Sequence, residues 1–183
     1  KWNISKNKFV YKIFRFIDTF TQKRYDYIIF QRSDLKDEFI KRGLNPRKAF
    51  LIKQSVAFPE EFKSFRPVKN ACFTVLYTGT FVEVQNIDLI LDTAIILKGR
   101  DIRFQLIGAS EEDFEKYNSK VNKWAINKMV EIIPRKAPND LRSFIDGADV
   151  LISTRTFGHD TPIKIFYYLS YGKCILATDC PIH

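Results

Sequence analysis

The sequence predicts an α/β fold, a Rossmann-like parallel sheet with flanking helices, and three observations carry that expectation. From Phe73 onward, short apolar runs bounded by polar residues alternate with segments of helical period. Ala148 to Thr178 reads as a buried strand, a polar loop, a helix, a helix stop and a second buried strand, which is one βαβ unit. The chain has 183 residues of which 45% are apolar, enough to bury a core. Strands separated by helices call for right-handed crossovers and therefore parallel pairing.

The first element is a helix over 9–20. Phe9, Ile13, Phe16, Ile17 and Phe20 fall on one face, while Lys8, Lys12, Arg15 and Lys23 are spread over the rest. A basic amphipathic helix of this kind either packs on a domain or lies on a membrane surface, and the pattern leaves both open. A strand follows over 27–30, then Ser33 as N-cap, a helix over 34–42 stopped by Gly43, and a strand over 49–53. Residues 55–70 hold Pro59 and Pro67 and no sustained period, so they read as a linker between a unit over 1–54 and a unit over 71–183. The second unit alternates regularly. Strands are predicted over 73–78, 103–107, 130–133, 150–153 and 174–178, with helices over 86–98, 111–124, 139–145 and 162–171 between them. The carboxylates of Glu111, Glu112 and Asp113 sit in a first helical turn, where they complement its dipole.

Composition narrows the function. A formal charge of +9 points to an anionic partner: nucleotide phosphate, lipid headgroup or nucleic acid. The Phe residues occupy periodic apolar positions and no nucleic-acid-binding motif is present, which disfavours the last. No run of eighteen apolar residues and no signal-peptide pattern occurs. The chain opens on Lys1 and closes on His183 directly after a strand, so it reads as a fragment of a longer protein. Cys72, Cys174 and Cys180 are odd in number and lack metal-ligand spacing, which suits a reducing, cytoplasmic compartment. No Ser/His/Asp arrangement, metal cluster or G-x-x-x-x-G-K loop is visible.

The chemistry concentrates after the strand over 150–153. Ligands of such sheets bind beyond the carboxyl ends of the strands, and the loop 154–161 lies there. Thr161 and Pro162 predict a capped helix start with Pro at the first helical position. Arg155 offers a rigid fork suited to phosphate oxygens, and Lys164 lies one turn inside the helix. Lys164, Tyr167, Tyr168 and Tyr171 share one face by spacing, with Ile165, Phe166 and Leu169 turned more toward the core. A phosphate-bearing substrate is the expectation.

Thr161-Pro162-Ile163-Lys164-Ile165-Phe166, with Tyr168-Leu169-Ser170, Gly172-Lys173 and Ile175-Leu176-Ala177-Thr178-Asp179, resembles the donor-site signature of family 4 (group 1) glycosyltransferases. Val75-Leu76-Tyr77-Thr78-Gly79 and Asn86 to Leu91 resemble the first strand, loop and helix of that family's second domain, and Phe104 to Gly108 its second strand and glycine turn. Tyr25 to Ile29, Ser33, Leu35-Lys36 and Gly43 resemble the end of the first domain, and Ile52 to Val56 the crossing between the two.

The resemblance implies a truncated GT-B fold, two Rossmann-like domains across a cleft, with a nucleotide sugar held mainly by the second. It further implies a retaining transfer that needs no metal or cofactor, from a UDP- or GDP-linked donor to a glycan or lipid-linked acceptor in cell-surface polysaccharide synthesis. The setting would be cytoplasmic, at the inner face of the membrane, with peripheral contact through the basic N-terminal helix.

Two acids seven residues between are common in the family, and here those positions hold His159 and Tyr167. An Arg after the first-strand glycine and a Lys six beyond that glycine are replaced by Thr80 and Gln85. The resemblance therefore implies donor contacts at Gly79, Thr80, Gln85, Arg135, Arg155, Thr161, Lys164 and Tyr167, with His159 beside the transferred sugar. The missing charges at Tyr167, Thr80 and Gln85 favour the alternative to that leading expectation: a non-catalytic or donor-altered relative acting as a binding or partner subunit.

Overall fold

The computed structural model describes residues 8–22, 24–53, 55–56, 71–158 and 162–183. They divide into two compact units, Lys1–Gln54 and Ser55–His183. The stretch expected as a linker lies almost wholly outside the described residues.

In the first unit, α1 (Lys8–Gln22) leads to β1 (Ile28–Phe30), α2 (Ser33–Lys41) and β2 (Ala49–Leu51). β1 and β2 pair in parallel, Ile28 opposite Ala49, with α2 as the crossover. Phe30, Leu44 and Ala49 are buried together, and Phe39 meets Phe30 edge to face at 5.1 Å. Ser33 is not the N-cap that the sequence predicts: Arg32 holds that position in extended backbone and pairs with Asp34, drawing the helix start one residue earlier. Gly43 ends α2 at a φ of 99°, which glycine adopts without steric cost, and Leu44 donates back to the Phe39 carbonyl. The apolar face of α1 stands open, Phe9 71% and Phe16 72% exposed.

The second unit runs β3 (Phe73–Thr78), α3 (Ile87–Ile96), β4 (Ile102–Ala109), α4 (Glu111–Lys123), β5 (Val130–Pro134), α5 (Pro138–Gly147), β6 (Val150–Ser153), α6 (Ile163–Ser170) and β7 (Cys174–Ala177). All five strands are parallel, in the order β5-β4-β3-β6-β7. Alternation along the strands separates two cores. Val75, Tyr77, Phe104, Leu106 and Ile132 pack against α3 and α4, whereas Leu76, Ile107, Ile133 and Leu151 pack against α5 and α6. Ser110 caps α4 in a capping box with Asp113. Beside α3 lies a groove of about 530 Å³ lined by Phe73, Leu89, Leu97, Ile152 and Leu176.

Candidate functional site at the switch of the sheet

The chain leaves β3 toward β4 on one side and returns to β6 on the other, so a crevice opens between the carboxyl ends of β3 and β6. Its β3 wall is backbone. Gly79 donates its N–H to the Ile107 carbonyl at 2.9 Å, with a φ of 142°. Gly108, at a φ of 121°, lies against it so closely that a Cβ there would strike the Gly79 carbonyl. The loop after β3 and the end of β4 touch backbone to backbone, and only glycine fits both positions. Thr80 presents its carbonyl to the Tyr77 hydroxyl at 2.8 Å. A single 3₁₀ turn, Glu83–Gln85, then delivers Gln85, and Asn86 exits it in the left-handed region at a φ of 47°.

The β6 wall carries charge. Thr154 donates from Oγ1 to the Gln85 carbonyl at 2.6 Å, and the Thr156 amide donates to the Val84 carbonyl at 3.3 Å, so the loop after β6 is stitched to the turn after β3. Arg155 lies over Gly158, its Nε donating to the Phe157 carbonyl at 3.1 Å. Thr178 donates from Oγ1 to the Arg155 carbonyl. The His183 ring bridges Ser153 Oγ at 3.0 Å and the Thr178 carbonyl at 2.9 Å, an arrangement that places the proton on Nδ1.

Helix α6 projects Lys164 across the crevice. Its Nζ donates to Gln85 Oε1 at 3.0 Å and sits 4.0 Å from the centroid of the Tyr77 ring, over Gly79, where a Cβ would come within 2.8 Å of it. Burial, and then the nearby Arg155 charge, lowers the Lys164 amine to about 7. One turn on, Tyr168 is fully buried and anchors the helix: Thr78 donates its amide to the Tyr168 hydroxyl at 3.0 Å, and the two hydroxyls meet at 2.9 Å. Burial raises the Tyr168 phenol to about 12, so it stays protonated. Spacing i, i+4 thus carries two jobs, Tyr168 fixing α6 to β3 and Lys164 reaching the loop beyond it.

The structure brings Gly79, Thr80, Gln85, Arg155 and Lys164 to this crevice. Tyr167 turns instead to Tyr171, hydroxyl to hydroxyl at 3.1 Å with rings 5.1 Å apart, and packs on the α5–α6 core. Arg135 leaves β5 at the far edge of the same rim, exposed, its amide on the Ala109 carbonyl at 3.2 Å. His159 and Thr161 lie outside the described residues. Pro162 is the N-cap of α6 rather than its first helical residue, because its ψ of 126° is still extended. Ile165 is buried as expected, but Tyr168 and Tyr171 also face the core while Leu169 is exposed, against the expected helix faces: the Thr78 contact, not side-chain polarity, sets the rotation of α6. Tyr77 and Thr154 are participants that the sequence reading did not single out. Tyr77 carried one available signal, an aromatic residue two before the glycine.

Among the described residues no three His, Cys, Asp or Glu side chains are grouped as metal ligands. No described helix is long and apolar enough to cross a membrane.

Residues 72–183 match the family described as glycosyl transferases group 1. No curated protein matches the chain. Among solved structures, the apo form of the lipopolysaccharide outer core galactosyltransferase WaaB superposes with a TM-score of 0.58 at 21% identity, over 85% of this chain and 43% of that one. Anabaena HepE in complex with UDP-glucose gives 0.64 at 12% identity, over 90% and 48%, and TarM 0.67 at 12%, over 90% and 32%. At these identities the likeness is one of fold, and the chain spans between about a third and a half of each of those structures.

Proposed function

The chain belongs to glycosyl transferases group 1, the family match covering more than half of it, and from that premise we propose that the crevice between β3 and β6 holds the diphosphate of a nucleotide-sugar donor. The observation that carries this reading is the Lys164 ammonium fixed over Gly79 with Arg155 beside it. Two cations and the start of α6, whose first amides have no partner within the helix, meet at one mouth. As the sugar leaves, charge builds on the diphosphate, and donors already aimed there stabilise it more than they stabilise the bound ground state. The HepE structure, which shares the fold, holds UDP-glucose, and this supports a sugar nucleotide as guest.

The fuller reading is a retaining transferase that moves the sugar from a UDP- or GDP-linked donor, without metal, to a glycan or lipid-linked acceptor in cell-surface polysaccharide synthesis. WaaB, of like fold, is a lipopolysaccharide galactosyltransferase, which supports a glycolipid acceptor. A cytoplasmic site at the inner membrane face suits such an acceptor, and the open apolar face of α1 with Lys12 and Arg15 supports contact with that surface. His159 is the proposed partner of the transferred sugar, and Thr161 a further donor contact.

Isothermal titration with UDP, GDP and their sugar conjugates tests the site. Saturable binding of one nucleotide is expected, weakened about tenfold or more by Arg155→Ala or Lys164→Ala, since each charge-assisted contact is worth roughly 1.5 to 3 kcal/mol. Unchanged binding in both variants sinks the assignment.

A second reading, a binding or partner subunit with a decayed donor site, is favoured by Tyr167, whose hydroxyl is engaged with Tyr171 where the family carries an acid. Tyr167→Glu separates the two. A large gain in nucleotide affinity supports decay, and a loss supports a working, altered site.

A further inference from the structure

Lys164 is held by more than its own helix. Its Nζ has Gln85 Oε1 at 3.0 Å on one side and the Tyr77 ring at 4.0 Å beneath. Gln85 is itself fixed from behind. Thr154 Oγ1 donates to its backbone carbonyl at 2.6 Å, the Thr156 amide donates to the Val84 carbonyl, and the 3₁₀ turn is closed by Asn86 donating to the Glu83 carbonyl at 3.0 Å. At the other end, Tyr168 pins α6 to Thr78. The amine and its acceptor therefore come from two rigid pieces 79 residues apart in sequence, and the hydrogen bond between them is the only described polar link that orients the ammonium.

We propose that Gln85 is a positioning residue, whose side-chain carbonyl holds the Lys164 ammonium over Gly79 so that the pair presents one oriented cation to a phosphate oxygen. This rests on the donor-site reading above and adds to it a role for a neutral residue. Gln85 need not touch the ligand; it removes the freedom of a four-carbon side chain before the ligand arrives. Among the described residues, the titratable or charged groups facing the amine are Arg155 and Tyr77. Arg155 has no acceptor, and Tyr77 offers its ring face, so the described hydrogen bond from the amine goes to Gln85.

The test uses the full chain with inorganic pyrophosphate as probe and the titration of the Lys164 side chain followed by NMR. Gln85→Met keeps the length and removes the acceptor. It is expected to lower the Lys164 midpoint below its wild-type value near 7 and to weaken pyrophosphate about fivefold. In a Lys164→Gln background the same substitution is expected to change affinity by less than about twofold, because a residue acting through Lys164 has nothing left to position. Gln85→Glu raises the midpoint while also weakening the probe, a pair of opposite signs that a mere packing role does not produce. The exchange Gln85→Lys with Lys164→Gln keeps the link with its ends reversed, and recovers affinity to within about threefold of wild type.

A Gln85→Met cost that is equal in both backgrounds, or a Lys164 midpoint unmoved by it, overturns the proposal. Should the wild type bind neither pyrophosphate nor nucleotide, the donor-site reading fails; the held amine is then judged by the Lys164 midpoint alone, upheld if Gln85→Met lowers it and overturned if not.

Discussion

Where β3 ends, Gly79, Thr80 and Gln85 bring no charge to the crevice, whereas the facing wall, where β6 ends, brings Arg155 and Lys164. The neutral wall is backbone pressed on backbone and buried strand behind it. The charged wall is a loop and a helix start tied across by Thr154, Thr156 and Gln85. Shape and charge are thus carried by different segments. Losses in the glycine packing should appear as lost stability, and losses at Arg155, Lys164 or the Gln85 that holds it as lost affinity and altered pH dependence.

The sharpest break is expected from Gly108→Ala. Its φ of 121° disfavours any side chain, and the new Cβ would strike the Gly79 carbonyl. A stability loss of about 3 kcal/mol or more should be seen in urea unfolding. A loss below about 1 kcal/mol would show that the neutral wall yields rather than holding the two backbones in rigid contact.

Tyr168→Phe comes next, at about 2 kcal/mol, because it leaves the buried Thr78 amide without the hydroxyl it donates to. Pyrophosphate affinity should fall with it, since Lys164 rides on the helix that Tyr168 fixes. Lost stability with unchanged affinity would separate the anchor from the site.

The third test is pH. Burial, then Arg155, holds Lys164 at about 7 in the folded chain against the ordinary lysine value of 10.5. Below pH 7 the amine is protonated folded or unfolded, and the full cost of a buried charge is present. Between about 7 and 10.5 the folded state has released a proton that the unfolded state keeps, so stability rises with pH across that window. Lys164→Met should therefore gain on wild type at pH 6, by about 3 kcal/mol more than at pH 9. Anion binding runs the opposite way, tightening as pH falls through 7 because the anion favours the charged amine. A pH-independent gap between the two proteins would contradict the burial of this group.

The smallest effect belongs to Arg135→Ala. Arg135 is exposed and two strand spacings, about 10 Å, from β3, so pyrophosphate affinity should change by less than about threefold. A tenfold loss would extend the charged wall along the rim.

Much of this architecture is written locally. Val75, Leu76 and Tyr77 announce a buried strand, Gly43 a helix stop, and Ser110 with Asp113 a helix start, since each depends on neighbours a few residues away. What sequence does not expose is rotation and reach. The spacing of Lys164 and Tyr168 was legible, but the side to which they turned was not, because Thr78 decides it from 90 residues away. The pairing of Gln85 with Lys164 has no local signal at all. Ser33 and Pro162 look like start signals by type, yet the backbone angles of Arg32 and Pro162 place both caps one residue from expectation. Tyr167 looked available by spacing and proved to be engaged, because Tyr171 lies one turn away.

The tie from Thr178 to the Arg155 carbonyl reaches further than the crevice. β7 ends the sheet among the described residues, and Leu176 on it is 64% exposed, so its ladder has less covering it than that of β3 or β4. Amide exchange should accordingly be fastest in β7 and slowest in the inner strands, on the scale of local opening rather than global unfolding. Each opening that frees Thr178 also releases the Arg155 carbonyl, while the glycine wall stays shut. A ligand that quiets the Arg155 loop should then slow exchange along β7, which makes the sheet's end strand a distant clock for events at the phosphate site.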